Sequence, residues 1–328
     1  IKNLRMNVRK LKNITNKIEF GKSYKTPISK DPNLPPIYNI MLVSGPKGSG
    51  KGVIINHYLQ LNEKAGFKMQ NEDNVEMRII WLAGGTSKSK QNNILDELKT
   101  LHEDDRIDLD PENPNDKLKE IYKEIKEERD MIKAYNIYRK VYKKYINSKD
   151  LADLNIDELT LLNFKNFVNP KDDPDAPRTK QGKDLYHPRV VFMVVDDLIG
   201  SDVFSNNKRG NFFNNIAIKS RHDSKDLVPI NLIFITQSFK AIPTRIRTNT
   251  DIFILLKNAN REYILDAISN EISSHFTKEE LMIVYDQVMK IKYGSLILSI
   301  HKKELKENRI RIGWDRVVER NPKYILDD

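Results

Sequence analysis

The chain has 328 residues, of which 56 are Lys or Arg and 46 Asp or Glu, for a formal net charge of +10. That length, with 39% hydrophobic and 31% charged residues, suits a polar-surfaced globular protein of one large or two small domains and excludes a disordered tail. Cysteine is absent, so disulfide frameworks, thiolate metal sites and thiol nucleophiles are excluded as well.

The positive charge is unevenly spread. Residues 1–30 carry nine basic side chains (Lys2, Arg5, Arg9, Lys10, Lys12, Lys17, Lys22, Lys25 and Lys30) against one acid, Glu19, which leaves +2 for the rest of the chain. Residues 1–36 read as a basic N-terminal arm, set off by Pro32, Pro35 and Pro36. Three readings of the arm stay open: a solvated terminus, a segment docking a polyanion or partner, and a transit peptide. A signal peptide is not expected, since no apolar stretch follows the early basic residues. The body, residues 37–328, is nearly neutral, with ten basic and four acidic residues at 201–261. Its longest apolar run, Val190–Val195, falls far short of the roughly 18 residues of a membrane-spanning helix, so no direct membrane insertion is expected.

In chain order, Tyr38–Ser44 reads as a short apolar strand, followed by a glycine-rich turn and a helix from about Lys51 to Lys64 that stops at Gly66. Val75–Ala83 reads as the next strand, closed by Gly84-Gly85. A long polar stretch, about 87–188, is expected to be a mainly helical insertion. At its centre Asp116–Ile146 reads as one helix, with Leu118, Ile121, Ile125, Ile132, Tyr135, Tyr138, Tyr142 and Tyr145 at three- and four-residue steps. That tyrosine-rich stripe is expected to pack on the body; a surface for stacking bases is the alternative. Val190–Val195, Asn231–Thr236 and Ile252–Leu256 read as buried strands, Asn260–Asn270 and Lys278–Lys290 as helices, and Ser295–His301 with Arg309–Trp314 as a C-terminal hairpin. Apolar strands alternating with helices predict an α/β fold with a mostly parallel sheet covered on both faces.

Gly45-Pro46-Lys47-Gly48-Ser49-Gly50-Lys51 matches the first seven positions of the Walker A loop, with a strand before it and a helix after it. Its glycines let successive N–H groups turn inward on phosphate oxygens, and Lys51 would set its ammonium against the β- and γ-phosphates of ATP. Gly52 stands where Ser or Thr normally offers a hydroxyl to Mg²⁺, and Val53 offers none; water would replace that ligand. Lys-Gly at this point also resembles adenylate-kinase-type loops. Asp196-Asp197 follows the strand Val190–Val195 directly, at the strand end where ligands bind in α/β sheets. Asp196 is the candidate Mg²⁺ ligand and Asp197 the residue that polarises attacking water. Gln237 ends the strand Asn231–Thr236 and suits a sensor beside a γ-phosphate. Arg221, Arg245 and Arg247 flank that strand as candidates for stabilising charge on a neighbouring subunit's nucleotide.

The set Gly45–Lys51, Val190–Asp197, Arg221-His222 and Phe234-Ile235-Thr236-Gln237-Ser238 resembles the FtsK–HerA superfamily of DNA-pumping ATPases, and within it the virion packaging ATPases of large DNA viruses. Pro243–Asn249 resembles an arginine-containing stretch of those proteins. The resemblance implies an ASCE-type, RecA-like P-loop core with its sensor strand between the two Walker strands, acting as a homo-oligomeric ring around double-stranded DNA. It gives Lys51, Asp196, Asp197 and Gln237 their family roles and makes Arg221 the finger acting in trans. It further implies capsid or portal-like virion proteins as partners, and a place in the host cytoplasm and the virion. Two other readings stay open: a nucleotide-binding scaffold, which Gly52 suggests, and a nucleoside monophosphate kinase.

Overall fold

The runs Ile40–Ser44 (β3), Val190–Asp196 (β8), Asn231–Thr236 (β9) and Ile252–Leu256 (β10) are buried at every position, as strands covered on both faces must be. The computed structural model describes residues 8–10, 27–69, 72–84, 94–109, 114–148, 151–179, 182–198, 204, 212–219, 228–258, 260–272, 275–301 and 309–319. The chain divides into two units, one of Ile1–Lys119 with Val190–Asp328, the other of Glu120–Arg189.

The first unit is built on a ten-stranded sheet. Its other strands are β1 (Val8–Lys10), β6 (Met77–Gly84), β7 (Arg106–Leu109), β11 (Ser295–Ser299), β12 (Ile310–Ile312) and β13 (Arg316–Val318), in the order β1-β13-β12-β11-β10-β3-β9-β8-β6-β7. From β10 to β7 every pairing is parallel; from β10 back to β1 every pairing is antiparallel. The expected C-terminal hairpin is β11 with β12, extended by β13. A second, three-stranded sheet joins β2 (Ile28–Ser29), β4 (Phe67–Met69) and β5 (Glu72–Val75). Residues 27–36 are packed against this unit: Leu34 lies in its core, Lys30 N donates to Gly66 O, and the buried Arg311 donates to the carbonyl of Asn33.

Alternation along the strands sends side chains to both faces. Met41, Val43, Phe192, Val194, Ile233 and Ile235 share one core with Ile55, Tyr58 and Leu59 of helix α1 (Lys51–Ala65). Across the sheet, Phe234 meets Phe213 edge-on, and Phe239 meets Phe253. Buried amides and a carboxylate set the register at the far end: Tyr38 N donates to Asn231 Oδ1, Asn231 Nδ2 to Val191 O and Ile40 N to Asp251 Oδ2.

Two predicted strand bounds move. The Tyr38–Ser44 strand starts at Ile40, because Tyr38 is left-handed (φ 63) with its N–H turned onto Asn231. Val75–Ala83 is two strands that meet at Glu76, whose carbonyl instead accepts from Val190 N. Strand β7, short and half-exposed, has no apolar run to reveal it.

In the second unit the long helix α2 (Pro114–Ser148, its first residues in the first unit) carries the tyrosine stripe. Tyr135, Tyr138 and Val141 pack with Leu154, Leu162 and Ala176, so the stripe's cover comes from the insertion's own helix α3 (Ile156–Phe164) and loop. For the Tyr135–Val141 part of the stripe the cover is thus the insertion itself, where packing on the body was expected. A succession of edge-on and tilted rings runs Tyr135–Tyr138–Tyr142–Tyr145–Phe167. Tyr135 donates its hydroxyl proton to the buried Asp173 at 2.5 Å, and burial with that carboxylate pushes the phenol pKa up.

Candidate functional site

Helix α1 begins at Lys51, and the residue before it, Gly50, is left-handed (φ 93), as is Gly48 (φ 77). Such backbone is available to glycine at little cost and aims the loop amides to one side. No side chain caps α1, so its first N–H groups and its positive dipole end are left for an anion. Gly45 is required by space: a Cβ there would meet Ser49 Oγ at 2.7 Å and Leu256 Cβ at 3.0 Å. At Gly48 and Gly52 a Cβ would meet nothing within 4 Å, so both positions border open space. The hydroxyls of Ser44 and Ser49 are buried and have no hydrogen-bond partner among the described residues. Donors without acceptors around an open cradle fit a polyphosphate.

Lys51 folds back over the loop, donating Nζ to Gly45 O (2.8 Å) and Pro46 O (2.9 Å). Burial lowers its pKa below the ordinary 10.5, while the charges of Asp197 and Asp196 pull it up again. Both acids therefore act on the loop lysine. Asp196 is the buried last residue of β8, in register with Ile235 of β9 and Ala83 of β6. Asp197 leaves the strand left-handed (φ 51), though its N–H still bonds to Ile235 O at 3.1 Å. A non-glycine residue in that region is strained, and such strain concentrates at functional positions.

Gln237, exposed at the end of β9, donates Nε2 to Asp197 Oδ2 at 2.6 Å. Thr236 is buried and accepts from Ser238 N at 3.1 Å, which fixes the turn carrying Gln237. Gly45 N donates to Thr236 O, tying the loop to the same strand end. Because β9 pairs with β3 on one side and β8 on the other, it lies between the strand that enters the loop and the strand that ends in the acid pair. This is a P-loop NTPase fold.

Among the described residues no group of three or more His, Cys, Asp or Glu forms a ready metal cage. A single carboxylate fits Mg²⁺, which keeps several waters and shares phosphate oxygens. Of the flanking arginines, Arg221 and His222 lie outside the described residues. Arg247 is held inside the fold by Glu271 Oε1 (2.9 Å), Ile242 O (3.0 Å) and Thr244 Oγ1 (3.1 Å), which does not suit an outward-reaching finger. Arg245 is exposed. Sequence reasoning missed the left-handed Asp197 and the packing of Leu256 beneath the loop; neither has a sequence signal.

No family model and no curated protein matches the chain. Among solved structures it is similar to the DNA-packaging ATPase B204 of Sulfolobus turreted icosahedral virus, at 13% identity over 84% of this chain and 97% of that one (TM-score 0.44). It is similar also to the genome packaging NTPase B204 of Sulfolobus turreted icosahedral virus 2 in complex with ATP-gammaS, at 13% identity over 84% and 96% (TM-score 0.41). A third is the pCW3 conjugation coupling protein TcpA, at 14% identity over 88% and 65% (TM-score 0.40).

Proposed function

We propose that this chain is an ATP-driven double-stranded DNA translocase that packages a viral genome into its capsid as a ring of identical subunits. The convergence of Lys51, Asp196, Asp197 and Gln237 on one open loop carries the nucleotide half of this reading. The DNA half rests on the motif resemblance and on the basic excess at 201–261.

In this reading Lys51 exchanges its two carbonyl partners for phosphate oxygens and spreads its charge over them. Backbone amides of 48–53 hold the remaining oxygens, and Asp196 would hold Mg²⁺ together with water. When bound, MgATP supplies the phosphoryl group whose transfer to water releases the free energy for movement. Asp197 orients the attacking water and takes its proton, and Gln237 keeps that carboxylate in place and senses the γ-position. Arg221 acts on a neighbouring subunit. DNA is gripped by its phosphates without base reading, so affinity falls steeply with salt. Capsid or portal-like proteins are the partners at an assembly site in the host cytoplasm.

Steady-state hydrolysis with and without duplex DNA tests the reading. We expect turnover stimulated by DNA and reduced by about 10²–10⁴ in Asp197→Ala, the range for losing a general base, and a ring-sized particle when ATP and DNA are both present. Nucleotide binding without turnover under any of these conditions would overturn the motor in favour of a scaffold.

A further inference from the structure

Among the described residues of the first unit, two large hydrophobic side chains stand in solvent: Val53, 55% exposed, and Tyr293, 84% exposed. Both lie at the end of the sheet that carries the phosphate loop. Val53 is in the first turn of α1. Tyr293 precedes β11 by two residues, and β11 runs antiparallel to β10, so Ser295 pairs with Leu256, the residue packed beneath Gly45. With β10 between them, β11 lies two strand spacings, roughly 10 Å, from β3. The interval is bridged by the turn after β12: Gly313 N donates to Ser295 O (3.0 Å), and Trp314 Nε1 donates to Ile54 O of α1 (2.8 Å).

Tyr293 is held where it is at a cost. Its backbone is left-handed (φ 60), uncommon for a bulky residue. The turn is closed by Gly294 N to Ile291 O (2.9 Å) and Ile291 N to Val288 O (3.0 Å), and a Cβ on Gly294 would meet Val288 O at 2.3 Å. Lys292 Nζ lies 5.3 Å from the ring centroid, so a cation accompanies the ring. A rigid turn thus presents an aromatic ring to water, although burying it would stabilise the fold.

We propose that Tyr293 is the platform on which the nucleobase of the bound nucleotide stacks, with Val53 as the apolar wall on the loop side. The proposal rests on the phosphate-site reading of Gly45–Lys51. Stacking uses the π-face that every base has, so ATP and GTP bind alike at this position. Tyr293 touches the base and not the reacting phosphates.

The test is titration calorimetry on the full chain with ATP, GTP and inorganic tripolyphosphate. Tyr293→Ala should weaken ATP and GTP by about fivefold to a hundredfold, the range for losing one stacked base, and leave tripolyphosphate unchanged. Tyr293→Phe should keep the parental affinity for all three. Lys51→Ala should weaken all three ligands. Equal ATP affinity in Tyr293→Ala and the parent, with Lys51→Ala still defective, would overturn the base platform alone. Undiminished binding in Lys51→Ala would overturn the phosphate site beneath it. Melting temperatures of each variant separate a binding loss from unfolding.

Discussion

Replacing Gly52 by Ser puts a hydroxyl where the loop lacks one. The position has room, since a Cβ there meets nothing within 4 Å, and it lies in the first turn of α1. Glycine costs about 1 kcal/mol relative to alanine in a helix and serine about half of that, so Gly52→Ser stabilises by roughly 0.5 kcal/mol. For a unit of this size that raises the melting temperature by about 1–2 °C. The hydroxyl would replace a metal-bound water, whose immobilisation costs up to about 2 kcal/mol, equivalent to as much as ~30-fold in Mg²⁺ affinity. We therefore expect Gly52→Ser to melt slightly higher and to reach half-maximal ATP turnover at a lower Mg²⁺ concentration. Calorimetry and a Mg²⁺ titration of hydrolysis measure the two effects. A lower melting temperature would refute the open space at position 52. An unchanged Mg²⁺ requirement would refute a metal beside that turn.

The same loop predicts a pH dependence. Burial holds the Lys51 pKa below 10.5, so between the lowered value and 10.5 the unfolded chain binds more protons than the folded one. Ligand-free stability rises with pH across that window, and below it the cost of the buried charge is complete. Lys51→Met should remove this rise along with nucleotide binding, so melting temperatures from about pH 8 to 10.5 should climb less steeply than in the parent, and an unchanged slope would refute the buried charge. Away from the site, Arg78 and Asp105 form a buried pair at 2.7 Å, with side chains 9% and 6% exposed. Asp105→Ala removes the carboxylate to which the buried Arg78 Nε and Nη2 donate and should cost about 3–5 kcal/mol in urea unfolding, while a joint replacement of both residues by apolar ones recovers most of it. A loss below about 1 kcal/mol in the single variant would mean that water reaches the pair.

The central strands were legible because burial on both faces writes an unbroken apolar run: 231–236 and 252–256 keep their predicted bounds, and 190–195 gains Asp196. Where burial is one-sided or brief, as in β4, β7 and β13, no such run exists and the strands went unread. The tyrosine stripe was visible as a periodic face, yet its cover was not, because Leu154, Leu162 and Ala176 meet it only after the chain turns back on α2.

The site divides in the same way. The loop Gly45–Lys51, the acid pair and Gln237 are local patterns whose chemistry follows from residue type and spacing, so sequence alone determined which groups are available. That Gln237 meets Asp197 depends on the placement of β9 between β3 and β8, a pairing among segments well apart in the chain. The left-handed turn at Asp197, the retention of Arg247 by Glu271 and the display of Tyr293 at the loop end are decided the same way. Net charge belongs to the sequence, and most of the +10 sits in the first thirty residues. Electrostatics at the site belongs to the fold, because Asp196 and Asp197 act on Lys51 only where folding has brought them close.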